Sequence, residues 1–209
     1  MSAAATWAIV PVKALGQAKR RLAPVLPLEA RRRLVLAMLE DVLGTIGEVD
    51  AVTTVLVVTP DAQAAELAGR RGAMVLREPR SRGLNAALRA GLASARAEGA
   101  VRALILPADV PLVTAGELRS VLDGSAPVRR GQAALVPSHD GDGTNALLLA
   151  PPQAIEPAFG PGSFIAHLAR AVASGLDIRV LRLPGLAADI DVPNDLPRLA
   201  AHKRGIPRY

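Results

Sequence analysis

Short apolar runs alternate along this chain with stretches whose apolar residues recur every three or four positions, an order that restricts the fold more than any other feature. Trp7 to Val12 reads as a buried strand. Leu28 to Ile46 reads as a helix, with Leu36, Leu39, Leu43 and Ile46 on one face. Val52 to Thr59 is a β-branched run stopped by Pro60, and predicts a second strand. Asp61 to Arg71 is an Ala-rich helix that Asp61 can cap and Gly72 can end. A short strand at Ala73 to Leu76 and a helix from Leu84 to Glu98 follow. Ala103 to Leu106 is apolar at every position, as a central strand of a parallel sheet covered on both faces is. A helix is expected at Thr114 to Leu122. After residue 124 come strands at Ala133 to Pro137 and Ala146 to Ala150, then a helix from Ser163 to Ser174. A strand at Ile178 to Leu183 and a terminal helix from Asn194 to His202 complete the chain. Repeated strand–helix units predict right-handed crossovers and one mainly parallel central sheet flanked by helices. The expected architecture is therefore α/β, a single domain over residues 1–209, with 125–165 as an insertion.

Composition narrows the function. Only Trp7, Phe159, Phe164 and Tyr209 are aromatic, so Ala, Leu and Val must fill the core. No run approaches the roughly 18 consecutive apolar residues of a membrane-spanning helix, and no membrane partner is expected. The N-terminus has no basic region ahead of an apolar stretch, so cytoplasm is the expected location. Zero cysteines exclude disulfides, thiolate metal sites and a cysteine nucleophile. The net charge of +6 asks for an anionic partner. Nucleic acid is not expected, because single-strand binders interleave basic residues with aromatic platforms and this chain has almost none. Small polyphosphates suit it better. The cluster Arg31-Arg32-Arg33 reads as a solvated helix face.

Two acidic segments carry the chemistry: Leu106-Pro107-Ala108-Asp109-Val110-Pro111 and Asp189-Ile190-Asp191-Val192-Pro193. Each follows an apolar run, so each can set a carboxylate at the end of a strand. In open α/β sheets ligands bind at those carboxyl ends. Carboxylates meeting there can hold Mg²⁺ against substrate phosphates. Asp109 is the first candidate ligand. Asp189 and Asp191, two apart, would face one side of an extended segment, and either can serve as the second. The bland alternative for all three is a turn or helix cap.

Other segments suit anions. The first strand runs into Lys13 and then Gly16-Gln17-Ala18-Lys19-Arg20-Arg21, a basic loop able to clamp a triphosphate, although it is not a Walker A loop. Gly83-Leu84-Asn85, preceded by Arg80 and Arg82, can present backbone and amide groups to a base or ribose. Ser138 to Asn145 superficially resembles a calcium loop but lacks the required glutamate, so an EF-hand is rejected. Its glycines and the Thr144 hydroxyl fit an anion better. Phe159-Gly160-Pro161-Gly162-Ser163-Phe164 opens a helix with Ser163 as N-cap, again suited to phosphate or carboxylate. His139, His167 and His202 have no metal-ligand spacing.

Taken in order, these segments resemble the 2-phospho-L-lactate/phosphoenolpyruvate guanylyltransferases of coenzyme F(420) biosynthesis, with Arg20 standing where serine is expected after Lys19. The resemblance implies a glycosyltransferase-A-like nucleotidyltransferase fold. It implies that Asp109 and Asp191 hold Mg²⁺ with help from Asp189, and that Lys13, Lys19 and Arg21 bind the phosphates of GTP. It further implies that Gly83 and Asn85 contact the nucleoside, and that residues 125–165 form the acceptor half of the pocket. Within that half, Thr144, Gly160 and Ser163 would cradle a phosphorylated three-carbon acid. Phosphoenolpyruvate is favoured over 2-phospho-L-lactate and 3-phosphoglycerate, because the Ala/Arg/Gly/Pro-rich composition points to a GC-rich bacterial source. A homodimer is compatible with the sequence. Competing readings are a sugar or molybdopterin nucleotidyltransferase, which commonly opens with a Gly-rich loop missing here, and a basic RNA-binding module.

Overall fold

The computed structural model describes residues 5–78, 83–123 and 131–205, the last four as backbone only. One seven-stranded sheet organises them. β1 (Thr6–Pro11) is followed by α1 (Leu28–Gly47), β2 (Thr54–Thr59), α2 (Ala62–Arg70), β3 (Met74–Arg77), α3 (Leu84–Ala97) and β4 (Arg102–Ile105). Then come α4 (Ala115–Leu122), β5 (Gln132–Pro137), β6 (Thr144–Ala150), α5 (Ser163–Ala173), β7 (Asp177–Val180), α6 (Pro184–Ala187) and α7 (Leu196–Gly205). The sheet order is β3-β2-β1-β4-β6-β5-β7. β6 runs against both neighbours, and the other strands are parallel to one another.

Alternation along the strands builds two cores. Ala8, Val10, Leu104 and Leu106 face α1, α2 and α4, while Trp7, Ile9, Ala103 and Ile105 face α3 and α5. Small side chains allow close approach of helix and sheet. At Gly91 of α3 an added Cβ would lie 2.9 Å from Ile9 Cγ2 and 3.1 Å from Val58 Cγ2. Among the described residues no helix is long and apolar enough to cross a membrane.

The expected elements are present within a few residues, with two differences. The strand expected at Ile178 to Leu183 ends at Val180, and Pro184 starts the short α6 instead. Second, the two strands expected within the 125–165 insertion are integral to the sheet, β6 pairing with β4 through Ala103–Leu149, Leu104–Leu148 and Ile105–Leu147. β6 is buried along its whole length, so this hairpin completes the core. Only the connections at its ends reach the rim. Arg80 and Arg82 lie outside the described residues.

The strand order reverses between β1 and β4: from β1 the chain continues to β2 on one flank, and from β4 it continues to β5 and β6 on the other. That switch point leaves a crevice beyond their carboxyl ends. Pro11-Val12-Lys13 and Pro107-Ala108-Asp109 emerge there. The segment carrying Asp189 and Asp191 reaches the same rim because α6 docks on the start of α4. Gly185 N–H donates to Glu117 Oε1 (2.7 Å), and the same carboxylate completes the capping box of Thr114. A Cβ at Gly185 would overlap Glu117 and the Leu112 carbonyl. Gly185→Ala should therefore destabilise the fold by about 1–3 kcal/mol, the usual cost of overpacking. A lower urea midpoint at unchanged slope would show it.

Candidate active site

A cavity of about 390 Å³ opens at the switch point, lined by Pro11, Lys13, Lys19, Arg21, Asp109 and Asp191 among others. Val35, Met38, Leu84 and Phe159 give it an apolar side. Its centre is one ammonium. Lys19 Nζ donates to Asp109 Oδ2 at 2.8 Å and to Asp191 Oδ1 at 3.2 Å. The two carboxylates lie 82 residues apart in the chain, yet their oxygens are no farther apart than those two bonds laid end to end. The meeting is fixed by backbone: Ile190 N–H donates to the Asp109 carbonyl at 2.9 Å. Asp195 secures the far side, its Oδ2 accepting from the N–H groups of Asp191 (2.9 Å) and Val192 (2.8 Å).

Lys19 reaches inward because its backbone is left-handed, with φ 51° and ψ 44°. For a non-glycine residue that conformation costs roughly 1–3 kcal/mol and persists only when its surroundings impose it. They do. Asp61, which caps α2 through the N–H groups of Gln63 and Ala64, also accepts from Leu15 N–H at 3.0 Å. On the other flank Arg31 Nη1 donates to the Ala18 carbonyl at 3.1 Å. Arg31 therefore holds the loop instead of lying on a purely solvated face as the sequence suggested. Lys13 and Arg21 sit at the mouth, and Arg21 Nη1 donates to Asp191 Oδ2 at 3.1 Å.

Electrostatics follow from this geometry. Burial alone would depress the Lys19 ammonium, but the charges and hydrogen bonds of Asp109 and Asp191 outweigh it and hold its pKa above the usual lysine value. Asp189 differs. Its Oδ1 accepts from Asn145 Nδ2 at 3.0 Å, and burial, with the Asp109 charge adding, raises its carboxyl above the ordinary aspartate range. Asp109 and Asp191 thus share a cation seat, with Asp189 beside it on Asn145. Two such carboxylates could hold a hard divalent cation whose remaining ligands came from water and phosphate oxygens. Among the described residues no group of three acidic or histidine side chains converges as a metal site.

The predicted acceptor elements form an adjoining cluster. Ser163 is the first residue of α5, not its N-cap; Gly162 takes that place with φ 68°. Ser163 Oγ turns back to accept from Thr144 N–H at 2.9 Å. Asp142 closes the turn by accepting from Gly162 N–H at 3.0 Å through Oδ2 and from Phe164 N–H at 3.1 Å through its carbonyl. Gly160, with φ 134°, makes the bend that side chains resist. Asn85 is engaged at both ends: Nδ2 donates to the Phe159 carbonyl (2.9 Å), and Oδ1 accepts from Phe159 N–H (2.7 Å). It straps the start of α3 to the acceptor loop, and Phe159 lines the cavity.

Sequence reasoning saw Asp61 only as a helix cap, Arg31 only as a solvated residue, Asn145 only as part of a loop and His167 only as a histidine without metal-ligand spacing. Their roles are contacts across 13 to 46 residues, and no local spacing announces them.

The fold is one shared with solved nucleotidyltransferases. A nucleotidyl transferase from Methanothermobacter thermautotroptrophicus superposes with a TM-score of 0.70 at 19% identity, covering 97% of this chain and 99% of that one. The CMP:2-keto-3-deoxy-manno-octonic acid synthetase complexed with CTP superposes at 0.64 and 12% identity, covering 97% and 100%. Likeness at such identities speaks for the fold. The family model "Guanylyl transferase CofC like" matches residues 6–208. The chain belongs to that guanylyltransferase family. Phosphoenolpyruvate guanylyltransferase of Sphaerobacter thermophilus is 47% identical over 197 residues, covering 94% of this chain and 93% of that protein. The enzyme of the same name from Rubrobacter xylanophilus is 43% identical, covering 93% of each.

A lysine whose pKa is raised on folding stabilises the native state fully below its unfolded value, and that contribution fades as pH climbs through the folded one. Stability should thus fall more steeply above about pH 10.4, the unfolded lysine value, in the parent protein than in Lys19→Met. Parallel urea midpoints across the alkaline range would contradict the shared ion pair.

Proposed function

We propose that this enzyme transfers GMP from GTP to a phosphorylated three-carbon acid, with phosphoenolpyruvate as the favoured acceptor, and releases pyrophosphate. The observation that carries the reading is the shared cation seat of Asp109 and Asp191 beside a basic loop, at the switch point of a nucleotidyltransferase sheet. The relatives named phosphoenolpyruvate guanylyltransferase support the choice of nucleotide and acid. A product of this kind, a nucleoside diphosphate joined to a three-carbon acid, fits the early steps of coenzyme F(420) biosynthesis.

The chemistry joins two anions. An oxygen of the acceptor phosphate attacks the α-phosphorus of GTP in line, a new P–O–P bond forms, and the α–β bond breaks with its electron pair leaving on pyrophosphate. The attacking oxygen is already ionised at neutral pH, so no general base is required. Mg²⁺, held by Asp109 and Asp191 with Asp189 alongside, would supply charge neutralisation and a fixed orientation for the phosphates. Lys13, Lys19 and Arg21 bind the triphosphate and offset charge as it builds on the leaving group. Lys19 is well suited to this, because a metal ion taking its place between the carboxylates would free its ammonium for the phosphates. Thr144, Gly160 and Ser163 bind the acid. Most of the rate would come from alignment.

The nucleoside would lie past Lys13 and Leu84, over a shallow recess of about 20 Å³ walled by Pro60, Glu78 and Gly83. Gly83, at φ 92°, brings backbone close to it. Asn85 contributes through Phe159. The Glu78 carboxylate can accept from the N1–H and exocyclic amine of guanine, a donor pair that adenine lacks.

Four nucleoside triphosphates assayed against phosphoenolpyruvate, 2-phospho-L-lactate and 3-phosphoglycerate test the reading. Pyrophosphate release is expected with GTP and phosphoenolpyruvate, at least ~100-fold slower in Asp109→Asn, on the scale of losing one group that stabilises the transition state. Glu78→Ala should narrow the preference for GTP over ATP. Release with a sugar phosphate but none of the three acids would overturn the acceptor assignment.

A further inference from the structure

We propose that His167 is a positioning residue that turns the Thr144 hydroxyl into an obligate hydrogen-bond donor toward the acceptor acid; this rests on the acceptor reading of Thr144 and Ser163 given above. His167 has no contact with the cation seat and is wholly buried on α5, against Phe159 at a ring-centroid distance of 4.7 Å. Both its ring nitrogens are used. Ala158 N–H points at Nε2 at 2.8 Å, and Thr144 Oγ1 lies 2.9 Å from Nδ1.

A backbone amide can only donate. Nε2 must therefore be the bare, accepting nitrogen, which puts the ring proton on Nδ1. That proton points at Thr144 Oγ1, so the threonine oxygen is an acceptor in this bond. Its own hydroxyl proton is then left to donate elsewhere, and among the described residues no acceptor takes it. Ser163 is primed in the same way, since its Oγ accepts from Thr144 N–H and keeps its proton. Thr144 and Ser163 are 4% and 1% exposed, so neither proton is freely solvated. Two buried hydroxyls, each with its oxygen engaged by a protein donor, form a site that offers protons and repels further donors. Such a site favours a phosphate or carboxylate over an alcohol or amine.

The imidazole remains neutral while doing this. Burial, with Arg170 nearby, pushes its pKa down to about 4. A second ring proton would also face the Ala158 amide.

Nitrogen-15 NMR of the labelled protein reads the arrangement without turnover. Nδ1 should appear protonated and Nε2 unprotonated, unchanged from pH 8 down to pH 5. His167→Phe keeps a ring against Phe159 but removes both bonds. It should raise the KM for phosphoenolpyruvate at least tenfold while leaving that for GTP within twofold. His167→Asn, which can return a donor to Thr144, should recover most of the loss. An Nε2–H tautomer or an imidazolium at pH 7 would overturn the proposal, as would equal rises in both KM values. If His167→Phe does not fold, the NMR tautomer and the Asn variant decide the matter. A parent protein that shows the Nδ1–H tautomer, yet neither binds nor consumes phosphoenolpyruvate, would remove the acceptor reading and this role with it. A parent protein that turns over the acid while His167→Phe is unaffected would sink this role alone.

Discussion

One buried ammonium shared by two carboxylates is the constraint around which this molecule is arranged. Asp109 lies in the loop just beyond the central strand β4 and Asp191 in the segment after α6, so without a cation between them two negative charges would meet at the rim of the sheet. Lys19 resolves that conflict at the cost of a left-handed backbone, and the loop is forced into place by Asp61 from one side and Arg31 from the other. Each of those anchors serves a second structural purpose: Asp61 caps α2, and Arg31 lies on the first turn of α1. The site is consequently continuous with the fold.

The same economy runs through the acceptor side. β6 completes the sheet against β4, and its first residue, Thr144, is the one whose amide meets Ser163 and whose hydroxyl meets His167. Asn145, the next residue, points the other way along the pleat and holds Asp189. Period-two alternation thus sends two neighbouring side chains to two clusters, the buried Thr144–Ser163–His167 group and the acidic segment. Asn85 then binds the acceptor loop back to α3 through both atoms of its amide.

Much of this was legible from residue order. The unbroken apolar run before Pro107 announced a central strand, and Asp109 beyond it inherited its importance from that position. Asp61 and Gly72 marked the ends of α2 by local chemistry that needs no tertiary contact. What the sequence could not convey was the built-in character of β5 and β6. Antiparallel pairing of Leu147 with Ile105 depends on a strand register that composition alone does not reveal, so residues 125–165 read as an insertion. The inward turn of Lys19 was equally hidden, since nothing in Ala18-Lys19-Arg20 signals a left-handed lysine. His167 looked like an unremarkable helical residue, because its partners Thr144 and Ala158 become neighbours only when the chain has folded.

The reading of the centre as a cation seat can be tested directly by a crystal structure with Mg²⁺ and a non-hydrolysable GTP analogue. The account requires one metal ion ligated by both Asp109 and Asp191, with the Lys19 ammonium displaced onto the nucleotide phosphates. Lys19 still bridging the two carboxylates, with the metal bound elsewhere on the triphosphate, would contradict it.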